Sequence, residues 1–436
     1  MTHLPKKLKQ AIALLSFGTF LEYADLMLYI HMGVVLNELF FNTDDPNSTK
    51  LLTATGVAIT FGFRPIGAFI FGWIGDNFGR IIVLYITTMI MGVTCIIMAN
   101  LPTYSQIGII ASVGITLCRI LQSISSTGEL TSCDLYLFEV SKPPIQYPLL
   151  GVTYLFSYIG GTFALIIASL VTTQGFNWRL AFWIGGIVAL VGTGARKVLL
   201  ESGEFKNINY RIETIAKNFN ISKKAAKQFL LREEEIPNNK IVNNSIYITE
   251  MVSPIYFYLS YIYCGDLFKT LFNYSPHEVI THNLIISLFF ILKMLFFMYI
   301  SYYFHPLKIL KIQLAISGIF TILVPFLFDY ADTVWKLTAI QFGITILAIN
   351  GFPGYAIFYK YIHITKRFTI ASTRYAWGRA SMFVATSFGT VFLTEKFGYK
   401  GMLVLFLPVL IGYTLTIFYF DKLEKESNAQ KNNSKL

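Results

Sequence analysis

The sequence predicts an all-α integral membrane protein with twelve transmembrane helices, and three observations carry that prediction. Hydrophobic residues make up 54% of the 436-residue chain and charged residues 14%, with a mean hydropathy of +0.57. So few charged groups cannot clothe a soluble surface. Apolar runs recur along the chain, and about twenty such residues suffice to cross a hydrocarbon core of roughly 30 Å. One long polar segment, 201–251, divides these runs six and six.

In order, the spans fall near 11–40, 51–75, 81–100, 105–136, 148–172, 178–199, 252–273, 280–303, 309–328, 334–359, 369–394 and 400–420. Lys6, Lys7 and Lys9 precede the first. That run is too long for a signal peptide and has no small-residue cleavage site, so it reads as an uncleaved helix. Loop charge tests the count independently, because basic residues collect on the cytoplasmic side. With the N-terminus inside, 24 Lys and Arg lie in inside segments, against 4 outside: Lys50, Lys336, Lys396 and Lys400. Both termini are expected in the cytoplasm. The net charge of +11 follows from this distribution and does not indicate nucleic acid.

Ten basic residues fall from Arg196 to Lys240, eight of them in the central segment. Its stretch from Ile212 to Leu231 is basic and amphipathic, expected either to lie along the inner membrane surface or to form a linker. The tail 422–436 is short and polar, without a sustained heptad. Cys95, Cys118, Cys133 and Cys264 all fall in apolar runs without metal-ligand spacing, so neither a disulfide frame nor a metal site is expected.

The densest pattern is Gly62 to Arg80, GFRPIGAFIFGWIGDNFGR. A very short turn joins the second and third spans and makes them antiparallel neighbours. Gly62, Gly67, Gly72 and Gly75 permit close helix approach where lipid supplies no hydrophobic drive to pack. Asp76 and Arg80 then sit at the membrane edge. A carboxylate there can accept the free amides of another helix start, a contact that breaks if the helices slide; an ordinary interfacial ion pair that fixes topology is the other reading.

Gly72, Asp76, Gly79 and Arg80 resemble the signature loop after the second helix of the major facilitator superfamily of transporters. With Arg64, Pro65 and Gly67 ahead of it, the string is similar to the metabolite:proton symporter branch, which includes proline/betaine transporters. Asn77 and Ile81 replace basic residues that the superfamily often carries. The resemblance implies two six-helix bundles rocking about a midplane site, an N-terminal bundle over 1–200, a cytoplasmic linker over 201–251 and a C-terminal bundle over 252–421.

Ionisable residues inside spans are costly and mark pathways or buried pairs. Glu22, Asp25 and Tyr29 share one face of the first helix, and His31 points roughly opposite. Two carboxylates on one stripe suggest a cavity. In a low-dielectric site they would raise each other's pKa, as a proton carrier near neutral pH requires; pairing with arginines purely to hold helices together is the alternative. FLEYADLMLY also resembles the branch's first-helix pattern. In the fourth span, Arg119, Gln122, Gly128 and Glu129 resemble the branch's Arg, Gln and Gly-Glu positions, while Ser125, Thr127 and Thr131 stand where it has glycines. Glu129 joins Glu22 and Asp25 as a proton-coupling candidate. Arg119 is a candidate partner for a substrate anion or for Glu22 and Asp25, because guanidinium holds carboxylates bidentately. Asp134 receives no role.

Trp178 and Arg179, and the string ESGEF from Glu201, resemble the branch at the start and exit of the sixth span. In the seventh, Tyr258, Tyr261, Asp266 and Lys269 occupy one broad sector whose rings suit a cationic or zwitterionic solute, or simply core packing. Substrate-binding candidates are thus Tyr29, Arg119, Gln122, Tyr258, Tyr261 and Trp377. The gating set is Gly72, Asp76, Gly79 and Arg80 with Arg374 and Arg379, since the loops before the third and eleventh helices face each other in a major facilitator fold. Lys366 and Arg367 are expected to face the cytoplasm. No counterpart of the opening motif follows the eighth span, where Tyr302 to Lys311 lacks a Gly-Asp-Gly-Arg string.

No G-x-x-x-x-G-K-[ST] string occurs, so ATP-driven transport by this chain is not expected. The chain reads as a secondary active transporter without cofactor or metal, a monomer in a bacterial cytoplasmic membrane, and not an enzyme. It would move a small solute with protons by alternating access, a proline- or betaine-like osmolyte being favoured by the resemblance and the aromatic face. An exchanger or exporter of another metabolite, or a non-transporting sensor on the same fold, are the rival readings.

Overall fold

The computed structural model describes residues 6–41, 61–174, 177–195, 203–233 and 239–433. The first part of the second span, 51–60, and Glu201 of the ESGEF string lie outside the described residues. The described residues form helices and turns without a strand. Lipid offers main-chain amides no water, so each spanning segment satisfies them within itself.

Seven helices among the described residues are long and apolar enough to cross a membrane: Lys9–His31, Arg80–Asn100, Ile109–Val140, Gln146–Val171, Pro276–Tyr303, Pro306–Phe328 and Tyr399–Ala429. These supply the first, third, fourth, fifth, eighth, ninth and twelfth spans. Trp178–Gly194 and Val334–Ile346 are shorter apolar helices in the sixth and tenth. Arg64–Phe78 is the described helix of the second. The eleventh, Arg367–Phe397, is rich in charge, with Arg374, Arg379, Glu395 and Lys396.

Among the described residues the seventh and tenth spans depart furthest from a regular helix. The seventh starts at Asn239, well before the expected 252, so Glu250 lies inside it. It runs Asn239–Phe257, widens to a π-helix over Tyr258–Tyr263 and resumes over Cys264–Phe272. Pro254, inside its first part, removes a main-chain donor and favours such a distortion. The tenth breaks after Val334–Ile346 and resumes at Tyr355–Lys360.

In the N-terminal half the first span packs on the fifth, and the third on the fourth and sixth; in the C-terminal half the seventh packs on the eleventh and twelfth. The halves meet where the fifth span lies against the eighth and the second against the eleventh.

The central segment folds into two helices, Gly203–Asn218 and Lys223–Glu233, rather than one stretch over 212–231. Phe205, Ile208, Ile212, Ala226 and Leu230 form a small core of their own, with Ile364 against it. This apolar face is therefore covered by protein. The last helix, Leu403–Asn433, continues through the polar tail, where Glu424 takes Lys360 at 2.6 Å and the Tyr361 hydroxyl at 2.7 Å.

Candidate functional site

A cavity of about 920 Å³, its open mouth included, lies between the two halves. The first helix presents Tyr23, Met27 and His31 to it, at four-residue spacing. The same helix therefore turns Glu22, Asp25 and Tyr29 away, into the N-terminal bundle. Opposite stand Tyr261 of the π-helical turn, Phe290, Asn350 of the broken tenth span and Arg379.

Two arginines dominate the polar lining. Arg64 is 1% exposed. Its Nη1 donates to the Tyr375 hydroxyl at 3.3 Å, while Nε and Nη2 have no partner among the described residues. Arg379 reaches Glu250 with Nε–Oε2 at 3.4 Å and lies over the Tyr375 ring at 4.5 Å. Tyr375 also meets the Tyr23 hydroxyl at 3.0 Å, tying the halves together across the cavity. Asn350 Oδ1 is buried and has no hydrogen-bond partner among the described residues. Aromatic pairs complete the wall: Tyr158 with Phe290 at 4.4 Å and Phe257 with Tyr261 at 5.2 Å.

The acids of the N-terminal bundle occupy separate surroundings. Asp25 faces Arg119 with Oδ2–Nη1 at 3.7 Å and accepts the Cys95 thiol at 3.2 Å. Arg119 donates to Gln122 at 2.7 Å and covers the Tyr29 ring at 4.1 Å. Glu129 accepts the Thr87 and Thr88 hydroxyls at 2.9 and 3.1 Å, and shares a small cleft with Glu22. Tyr29, Arg119 and Gln122 thus belong to a cluster inside the bundle, and of the six substrate-binding candidates Tyr261 lines the central cavity. Tyr258 is buried, Trp377 is 55% exposed on the outer surface, and Asp266 and Lys269 are exposed. Asp134, without a role on sequence grounds, accepts Tyr154 at 3.0 Å and Tyr359 of the other half at 3.5 Å.

The linker end of the molecule is closed by a second cluster. The eleventh span opens on Lys366, whose side chain makes no cap, so its first amides need an acceptor from elsewhere. Asp76 supplies it, taking the amides of Phe368 at 3.0 Å and Thr369 at 2.9 Å. Gly72 makes the approach possible: a Cβ there would stand 2.8 Å from the Thr369 Cα. Gly79, at φ 105°, makes the one-residue turn between the second and third spans in a region L side chains avoid. Arg80 donates to the Gly75 carbonyl at 2.8 Å and pairs with Glu139 at 2.8 Å. Arg367 of the other half reaches the same Glu139 oxygen at 3.6 Å. Arg367 is therefore buried in the closure rather than turned to the cytoplasm. Arg379 lines the cavity, and Arg374 forms no ion pair with the Asp76 cluster among the described residues.

The linker helices rest on this closure. The Phe205 ring lies 4.8 Å from the Arg80 guanidinium, and Lys227 donates to the Asp76 carbonyl at 3.3 Å and to Asn77 Oδ1 at 3.4 Å.

A family model described as Major Facilitator Superfamily matches residues 15–363. The chain belongs to the major facilitator superfamily. That superfamily is one of membrane transporters. A Staphylococcus aureus (strain COL) protein provisionally named a proline/betaine transporter is 31% identical over 210 residues, 46% of this chain and 45% of that protein. The proline/betaine transporter of Salmonella typhimurium is 29% identical over 208 residues, 46% of this chain and 41% of that protein. The chain thus spans under half the length of the curated relatives it matches. Among solved structures, the proton:xylose symporter XylE bound to 6-bromo-6-deoxy-D-glucose superposes with a TM-score of 0.73 over 95% of each chain at 15% identity, a likeness of fold. The superfamily, these relatives and the apolar helices identify a multi-pass protein of the bacterial cytoplasmic membrane.

The sequence reading missed Arg64 and Glu250 as parts of the site. Arg64 was absorbed into a motif, although an arginine within a span was itself the signal. Glu250 was counted with the polar linker because Asn239 to Glu250 is too polar to read as membrane.

Proposed function

We propose that this major facilitator transporter couples protons to symport of a small solute bearing a carboxylate, zwitterionic or anionic, bound in the central cavity. The observation that carries the reading is Arg64, a buried guanidinium on the cavity wall whose Nε and Nη2 have no hydrogen-bond partner among the described residues. A buried donor left without an acceptor is costly, and a charged one more so; a solute carboxylate would satisfy both. Arg379, paired with Glu250, lines the wall from the opposite half. The rings of Tyr158, Phe290, Phe257 and Tyr261 suit the cationic end of a zwitterion, and the proline/betaine naming of the relatives fits that chemistry.

Glu22, Asp25 and Glu129 are the proposed proton carriers. Protonation of Asp25 would remove the anion that faces Arg119 and so make the potential of the N-terminal bundle more positive. Asp76, Arg80, Glu139 and Arg367 are proposed as the gate that must part for the cavity to open at the linker face. The distribution of basic residues supports a cytoplasmic location for that face and for both termini. The transporter is proposed to act as a monomer.

The test is reconstitution in liposomes with an inside-alkaline pH gradient, offering labelled proline, betaine and small carboxylates, with an ionophore control. Gradient-dependent accumulation of one solute, lost on Arg64→Gln, is the expected result. Accumulation unaffected by Arg64→Gln would overturn the assignment of the carboxylate site; gradient-independent flux would overturn symport.

A further inference from the structure

Lys293, in the middle of the eighth span, is 6% exposed. Among the described residues its Nζ bonds to no carboxylate. Its ammonium is instead held by main-chain oxygens, the Ala348 carbonyl at 2.6 Å and the Thr345 carbonyl at 3.1 Å. Thr345 is in the last turn of the helix Val334–Ile346, whose final carbonyls have no intrahelical partners, and Ala348 is in the break that follows it. Phe290 and Phe297 present their ring faces to Nζ at 5.0 and 5.9 Å. Gln313 donates to the same Ala348 carbonyl at 2.8 Å from the ninth span.

This is the donor set of a cation site: oxygens at the negative end of a half-helix, walled by π faces, with no anion to form an ion pair. Unwound carbonyls and half-helix C-termini are the groups with which transporters hold alkali cations near the midplane. We propose that the break in the tenth span is a monovalent-cation site that the chain fills with its own Lys293 ammonium, so that a tethered charge takes the place of a free ion. The consequence lies one layer away. Ala348, Ile349 and Asn350 form part of the cavity wall, and Lys293 stands behind them as a positioning residue. The lysine cannot leave with the solute, so the wall keeps its shape at any external sodium or potassium concentration.

The test needs no solute and so is independent of what the cavity carries. Lys293→Ala removes the tethered charge and leaves the carbonyls facing an unfilled space; Lys293→Met keeps the volume and removes only the charge. Each is purified and melted in detergent in about 100 mM choline, sodium, potassium or methylammonium chloride, using the rule that a ligand bound to the folded state raises its melting point by mass action. The expected result is a wild type indifferent to the cation. Lys293→Ala should melt well below it in choline and recover by about 5 °C or more in methylammonium or an alkali cation, while Lys293→Met stays low in all four because its side chain fills the cradle. If Lys293→Ala folds only when methylammonium is present throughout purification, the proposal is also upheld. It is overturned if Lys293→Met melts like the wild type, if Lys293→Ala shows no cation dependence, or if Lys293→Ala fails to fold in every cation.

Discussion

Asp76 accepts the main-chain amide of Thr369 at 2.9 Å, joining the end of the second span to the start of the eleventh. It works as an N-cap supplied by the opposite half. A cap of this kind contributes on the order of 1 kcal/mol, and the charge adds a few tenths more beside the helix dipole. Asp76→Ala is therefore expected to shift the population toward a state open at the linker face by roughly five- to tenfold, as about 1 to 1.4 kcal/mol implies. Thiol-labelling rates of a cysteine placed at Ser372, which lies beneath this contact, check it. An unchanged rate would remove Asp76 from the gate.

Arg64→Lys keeps a charge but loses the planar fork, whereas Arg64→Gln loses both. For whichever solute the liposome screen finds, affinity should fall about tenfold with lysine and about a hundredfold with glutamine, in line with roughly 1.5 to 3 kcal/mol for a charge-assisted hydrogen bond. Equilibrium binding of the labelled solute measures this directly. A neutral analogue lacking the carboxylate should bind all three proteins alike.

Asp25→Asn and Glu129→Gln remove proton-accepting groups while keeping shape and most hydrogen bonds. If either carries the coupling proton, gradient-driven accumulation is abolished, yet exchange of labelled for unlabelled solute at equal pH persists. Exchange lost together with accumulation would mark the residue as structural, as the Asp25 to Arg119 contact of 3.7 Å could also be.

Lys227 lies outside the membrane spans, and burial, its largest influence, holds its ammonium below the ordinary lysine value of 10.5, against the opposing pull of Asp76. The docked linker therefore binds fewer protons at this site than the undocked one, so raising the pH favours docking. Amide hydrogen exchange of Lys223–Glu233, corrected for its intrinsic pH dependence, should show protection rising between the depressed value and 10.5 and levelling above it. Lys227→Gln should flatten that rise.

Much of this architecture was legible in the chain. The string around Gly72, Asp76, Gly79 and Arg80 announced a close helix crossing and a carboxylate at a foreign helix start, and the amides of Phe368 and Thr369 are where that expectation leads. Glu22, Asp25 and Tyr29 share one helical face by their spacing, but Tyr23, Met27 and His31 of that helix line the cavity. Periodicity tells which residues share a face; it does not tell what the face meets.

That this protein crosses a membrane many times, where most of its helices lie and which family it belongs to are all written in its local sequence. Lipid forces those outcomes locally, since every spanning segment must be apolar and must satisfy its own main chain. Tertiary structure alone decided which buried charges meet: Arg119 with Asp25, Arg379 with Glu250, Arg80 and Arg367 on one oxygen of Glu139, and Lys293 on main-chain carbonyls. In a low-dielectric interior each charge needs a partner within a few ångströms, and such distances are set by how helices far apart in sequence rotate against each other.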